Sequence, residues 1–196
     1  MQRFITCVLC IFALGALSAC GGGGGGGVTG LPPALTMSEY ASAYSSYAGD
    51  PNIASFTPQG TLDGMGGTAT YQGYGGFTVG DGSGAAGYYG GFAMKADFGS
   101  NTFSGNGGNF VKFYSAVASP SVGNKVSGSV AFSGDLTAAN ESLGDGLDGT
   151  GSGTIEGQSF AFDVTGNITG LSGQGAVLYF HSTSGADAVG TAFILD

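Results

Sequence analysis

From Gly67 to the C-terminus, apolar and polar residues alternate at a period of two, and glycine repeatedly takes the apolar phase. Ala69, Tyr71, Gly73, Gly75, Phe77 and Val79 share one phase, against Thr68, Thr70, Gln72 and Thr78 on the other. Tyr88, Gly90, Phe92, Met94, Ala96 and Phe98 repeat it opposite Lys95 and Asp97. Phe103, Gly105, Gly107, Val111 and Phe113 stand opposite Ser104, Asn106, Asn109 and Lys112. Val126, Gly128, Val130, Phe132 and Gly134 stand opposite Lys125, Ser127, Ser129, Ala131 and Ser133. Successive strand side chains point to opposite faces, so the pattern describes antiparallel strands with one face buried and one wet. Segments 150–157, 159–165, 173–181 and 188–195 continue it, and the joins, such as Gly144-Asp145-Gly146 and Thr183-Ser184-Gly185, carry turn residues. About eight strands at roughly 16 residues each suit an antiparallel barrel or sandwich. The expected fold is all-β: an eight-stranded antiparallel up-and-down β-barrel over residues 67–196.

An eight-stranded barrel is just wide enough for its own side chains to fill, and glycines would relieve crowding among the aromatic rings. A packed interior is therefore the expectation, with a lipocalin-like ligand cavity as the alternative. A membrane-spanning barrel needs an apolar outer face. Here that phase is Thr, Ser, Asn, Lys and Asp.

The 42 glycines follow no G-X-Y period and are accompanied by only five prolines, which excludes collagen. Fourteen Phe and nine Tyr in a chain that is 42% hydrophobic can supply a core. Four Lys plus Arg stand against 13 Asp plus Glu. Beyond Arg3 the only basic residues are Lys95, Lys112 and Lys125, too few for the clustered cations that nucleic acid requires.

The first 19 residues read as a leader: a basic Met1-Gln2-Arg3, then an apolar run from Phe4 to Leu17 too short to cross a membrane comfortably. Leu17-Ser18-Ala19-Cys20 resembles the bacterial lipobox, which implies cleavage before Cys20 and lipid on its thiol. Acyl chains contribute about 0.8 kcal/mol per buried methylene, so two or more of them hold a protein on a membrane. Gly21 follows the cysteine in place of the aspartate associated with inner-membrane retention, which points to the outer membrane. Cys7 and Cys10 fall in the leader, so Cys20 is the one cysteine of the mature chain and no disulfide framework exists. Residues 20–35, with seven consecutive glycines from Gly21 to Gly27, read as lipid anchor and tether. Ten such residues reach roughly 17 Å on average.

Residues 36–66 read as a short helix and a lead-in. Thr36-Met37-Ser38-Glu39 has capping-box spacing, and a helix is predicted from Met37 to Ala48, stopping at Gly49. Tyr40, Tyr44 and Tyr47 then share one face, expected to pack on the main domain or, alternatively, to meet a ligand.

Four runs of the strand region stand out: Ala69-Thr70-Tyr71-Gln72-Gly73, the stretch Ala96 to Gly105, Val126 to Gly134, and Gly153-Thr154-Ile155-Glu156-Gly157. In this order they resemble the β-barrel domain of transferrin-binding protein B and its relatives, surface lipoproteins exported by the Slam translocator. The closing pair Gly175 to His181 and Ala188 to Phe193 is similar to that family's last hairpin. The resemblance covers about residues 66–196 and implies one barrel at the cell surface that captures a host iron protein, haem or another host factor. Two departures stand out. The chain has room for one barrel without the accompanying handle domain, and Tyr179-Phe180-His181 replaces the usual Tyr-Gly-Pro.

His181 is the only histidine, so a Ser-His-Asp triad would have to use it with a residue such as Asp187. No Gly-x-Ser-x-Gly elbow accompanies it, so an enzyme is not expected. One imidazole can serve as an axial haem ligand, which makes His181 the haem candidate; no other cofactor is expected. Asp145-Gly146-Leu147-Asp148-Gly149 and Gly80-Asp81-Gly82-Ser83-Gly84 lack calcium-loop spacing and read as turns, so no metal site is expected. The functional expectation is a monomeric outer-membrane lipoprotein, anchored through Cys20, that binds a solute or protein ligand, in iron or haem acquisition. The alternative is a structural or adhesion lipoprotein of the envelope with no nutrient ligand.

Overall fold

The alternation resolves into strands in the computed structural model, which describes residues 30–50, 55–80, 85–113, 124–137 and 146–196. The leader, Cys20 and the seven glycines lie outside the described residues. In chain order the strands are β1 (Thr68–Val79), β2 (Ala86–Asp97), β3 (Thr102–Phe113), β4 (Asn124–Lys125), β5 (Gly128–Leu136), β6 (Leu147–Ile155), β7 (Gln158–Thr169), β8 (Gly175–Gly185) and β9 (Ala188–Leu195). β4 is a two-residue pairing beside β3; the other eight are the staves of a barrel. Every pairing is antiparallel, β1 lies between β2 and β9, and β2 pairs with β3 to close the ring. The fold is a closed eight-stranded up-and-down barrel, as the periodicity predicts. Among the described residues, each of the eight staves is paired on both sides.

The inner phase is buried where the sequence put it: Tyr71, Phe77, Tyr88, Phe92, Met94, Phe132, Phe162 and Phe180 are all under 5% exposed. The Phe180 ring lies at the centre, 5.0 Å from Phe77, 5.6 Å from Phe92, 5.7 Å from Phe132 and 5.5 Å from Phe162. Two inner glycines make room for these rings. A Cβ on Gly105 would sit 2.3 Å from the Phe132 ring, and one on Gly151 would sit 2.4 Å from Phe162. Among the described residues the barrel centre is packed with side chains, in keeping with the expected packed interior rather than the lipocalin-like alternative.

The third strand departs from strict alternation. Between the Tyr89–Val111 and Gly91–Gly108 pairs, Gly90 of β2 faces two residues of β3, Asn109 and Phe110, and Asn109 adopts φ +56° in this bulge. One extra residue reverses the phase beyond it. Phe110 therefore points inward, 6.2 Å from Phe92, and Phe113 packs at 4.7 Å on Tyr89. The assignment of Val111 and Phe113 to the inner phase is thus corrected. β6 also begins earlier than expected, at Leu147. The stretch Leu147-Asp148-Gly149, expected as turn, is strand because buried Leu147 pairs with both Leu136 and Gly166.

Helix α1 (Met37–Gly49) starts with both halves of the capping box: Glu39 N–H donates to Thr36 Oγ1, and Thr36 N–H donates to Glu39 Oε2 at 2.8 Å. Its tyrosine face packs on the outside of β9, with the Tyr40, Tyr44 and Tyr47 rings 5.7, 5.5 and 5.4 Å from Phe193. The lead-in then crosses the barrel end where β1 begins. Thr57 N–H donates to Ile168 O at 3.0 Å, Gly170 N–H to Ser55 O at 2.7 Å, and a short α2 (Gln59–Leu62) sets Leu62 on the core.

Candidate functional site

The barrel centre is filled by side chains, and four places on the rim and outer wall have structure of their own. The first is a polar cluster at the end where β2 starts and β3 finishes. Tyr88 Oη and Lys112 Nζ both donate to Glu156 Oε2, at 2.7 and 2.5 Å, and Lys112 lies 5.6 Å from the centre of the Tyr88 ring. The β3 bulge turns Lys112 to the inner phase, and the Glu156-Gly157 turn places Glu156 opposite, with φ +49° and +80°. Donation from Lys112 and then Tyr88 holds the Glu156 carboxyl below its ordinary 4.5, and the same contact raises Lys112 above 10.5. The cluster joins β2, β3 and the β6–β7 turn across the mouth. Both bonds converge on one oxygen of Glu156, so the cluster ties the rim together while Lys112 and Glu156 stay partly exposed.

The second place is a cleft of about 340 Å³ at the opposite end, between α2 and the strand ends, with Leu62, Asp63, Met65, Phe98 and Asn101 among its lining. The third is a groove of about 250 Å³ beside α1, formed by Tyr40, Tyr89, Thr78, Val189 and Thr191. The Tyr40 ring packs at a tilt, 4.4 Å from Tyr89, and burial, with Tyr89 and Tyr44 nearby, pushes its hydroxyl up to about 12. Most of the tyrosine face is thus consumed by packing on the barrel, although Tyr44 stays 52% exposed.

The fourth is a shallow groove of about 550 Å³ on the outer wall of β5 to β8, lined largely by Ser129, Ala131, Ser152, Thr154, Ser159 and Ser184. His181 stands exposed on the same side, paired across strands with Asp163 of β7 and Val189 of β9. Asp187 is engaged elsewhere: Ser182 Oγ donates to its Oδ1 at 3.0 Å and accepts from Ala188 N–H at 3.0 Å. Among the described residues no group of three His, Cys, Asp or Glu could hold a metal ion. Cys20, Asp145 and Asp81 to Gly84 lie outside the described residues.

Sequence reasoning missed one further arrangement. Leu31 and Pro32, read as part of the tether, lie on the outer wall of β2 and β3. Asn109 Nδ2 donates to Pro32 O at 2.8 Å. Pro32 covers Gly91, where a Cβ would lie 2.5 Å from Pro32 O, and Leu31 covers Gly108. The left-handed Asn109, tolerated because a short amide suits that conformation, is the signal that could have suggested a bulge there.

No protein-family model matches the chain, and no curated protein matches it. Among solved structures, it is similar to a mutant of the vaccine antigen transferrin binding protein B from Haemophilus parasuis Hp5, at 18% identity and a TM-score of 0.44. The match covers 72% of this chain and 29% of that one.

Proposed function

We propose that this chain is a surface-displayed outer-membrane lipoprotein, held by lipid on Cys20, whose barrel binds a protein or solute ligand on its outside. The observation that carries the reading is the ring-filled barrel centre around Phe180, which favours the outside of the barrel as the place where a ligand would meet it. The lipobox Leu17-Ser18-Ala19-Cys20 supplies the address. The narrower form of the proposal is iron or haem acquisition, with exposed His181 as the imidazole that a haem would meet. The protein is read as a monomer with no enzymatic activity.

Labelling cells with radioactive palmitate tests the anchor. The wild type should carry label and sediment with membranes, whereas Cys20→Ala should be unlabelled and soluble. An unlabelled, soluble wild type would sink the reading. Titration with haem tests the narrower form. A Soret shift lost in His181→Ala supports it, and no shift in the wild type retires it in favour of another ligand or an adhesive role.

A further inference from the structure

The groove beside α1 is built from rings and hydroxyls around a missing side chain. Its floor is Gly76, an outer-phase glycine of β1 paired with Tyr89 of β2 on one side and Thr191 of β9 on the other. A Cβ at Gly76 would lie 2.8 Å from the Tyr89 ring, so its absence is what lets that ring lean over β1. Tyr40 of α1 closes one end, its ring 4.4 Å from Tyr89 and 5.7 Å from Phe193. Thr78 and exposed Val189, paired directly across β1 and β9, form the other end. The row through Gly76 and Thr191 continues to Tyr179 of β8, whose ring is exposed.

This lining holds no Asp, Glu, Lys or Arg. Its polar side chains are the hydroxyls of Tyr40, Tyr89, Thr78 and Thr191, and among the described residues none of the four has a hydrogen-bond partner in the protein. Buried Tyr47, Tyr71 and Tyr88 each engage their hydroxyl, with Thr169, Gly173 O and Glu156. Tyr40 does not, although burial already takes its hydroxyl partly out of water. A hydroxyl both donates and accepts, so the groove offers four neutral groups of either sense beside aromatic faces. A hexopyranose presents the complement: a flat face of C–H groups and an edge of hydroxyls. The volume of about 250 Å³ falls below the roughly 300–1,000 Å³ of pockets for drug-sized ligands, and suits one such ring. Three strand spacings separate Tyr179 from Tyr89, roughly 14 Å, which leaves Tyr179 free for the next ring of a chain.

We propose that this groove binds an uncharged hexose unit of a glycan, with the Tyr40 and Tyr89 rings packing on the sugar and the hydroxyls of Tyr40, Thr78 and Thr191 bonding its edge. This rests on the reading of a ligand held outside the barrel, whose class it names, and not on lipid at Cys20.

The test is saturation-transfer NMR on the purified full chain, with the methyl pyranosides of glucose, galactose and mannose as probes. At least one should bind saturably with a Kd of about 1 mM, as suits a ligand of so few atoms. The double variant Tyr40→Phe, Thr191→Val keeps both rings and nearly the same volume, and should weaken that binding about tenfold. Its melting temperature should match the wild type, because the lost hydroxyls bond nothing in the protein. Thr70→Val, an exposed outer residue farther along β1, should bind as the wild type does. The methyl glucuronide, whose carboxylate meets no cation in the groove, should bind more weakly than the best neutral probe. No binding by any of the three sugars, binding indifferent to the double variant, equal loss in Thr70→Val, or a glucuronide bound as tightly would overturn the proposal. Palmitate labelling of a chain that binds none of the sugars would retire the groove and leave the anchor standing. Sugar binding by a chain that takes up no palmitate would do the reverse.

Discussion

Glycine on the inner face of this barrel acts through volume. At Gly105 the space of a Cβ is already taken by Phe132 and the carbonyl of Ala93, at 2.3 and 2.7 Å. Gly105→Ala should therefore destabilise by about 1–3 kcal/mol through overpacking. Phe180→Ala should cost about 3–5 kcal/mol, because four neighbouring rings lose a shared partner. Urea unfolding measures both, and wild-type midpoints in both variants would contradict the filled interior. The rim cluster makes a prediction in pH. Glu156 titrates below 4.5 in the folded protein, so its contribution is full above that value and is lost as pH falls through the folded pKa. Lys112 titrates above 10.5, so its share is full below that value and is lost as pH rises through the folded pKa. The melting-temperature gap between wild type and Glu156→Gln should thus be flat near neutrality and close on acidification below about pH 4. A gap that widens in acid would show that Glu156 is not held as its carboxylate. At this scale the inner phase was legible, since Phe and Gly at period two have few other uses. The Lys112–Glu156–Tyr88 cluster was not, because its members lie 44 and 68 residues apart and meet only once the barrel closes.

Among the elements, α1 was legible almost to the residue because its start signal is local: Thr36 and Glu39 satisfy each other's backbone donors wherever the helix sits. Thr36→Ala should cost about 1 kcal/mol. Hydrogen exchange should show the loss as faster opening of the first turn of α1, with the strands unchanged. The β3 bulge was hidden because alternation alone cannot register one inserted residue, and Asn109 read as an ordinary outward polar residue. The start of β6 was hidden because Asp148-Gly149 has turn chemistry, which pairing to β5 and β7 overrides. The contact of Pro32 with β3 separates two roles of Asn109. Asn109→Gly keeps the left-handed backbone and removes only the bond to Pro32, so it should speed amide exchange at Leu31, Ala34 and Leu35 with little global loss. Asn109→Ala should in addition lose about 1–2 kcal/mol of stability to backbone strain. Equal stability in the two variants would contradict the bulge geometry.

For the whole molecule, the closed ring and its filled centre leave grooves and exposed side chains on the rim and outer wall. The architecture was readable from period and glycine content. Which outer residues are covered was not, because that depends on where Leu31, Pro32 and α1 come to rest. Many eight-stranded barrels are hollow enough to hold one small ligand, and the account stands on this one being solid. Titration with a fluorescent fatty acid, a ligand for which such a hollow is suited, examines this most directly. The account predicts no saturable binding to the wild type. One-to-one saturable binding that is abolished by Phe180→Trp would place a cavity where the phenylalanine rings are and contradict it.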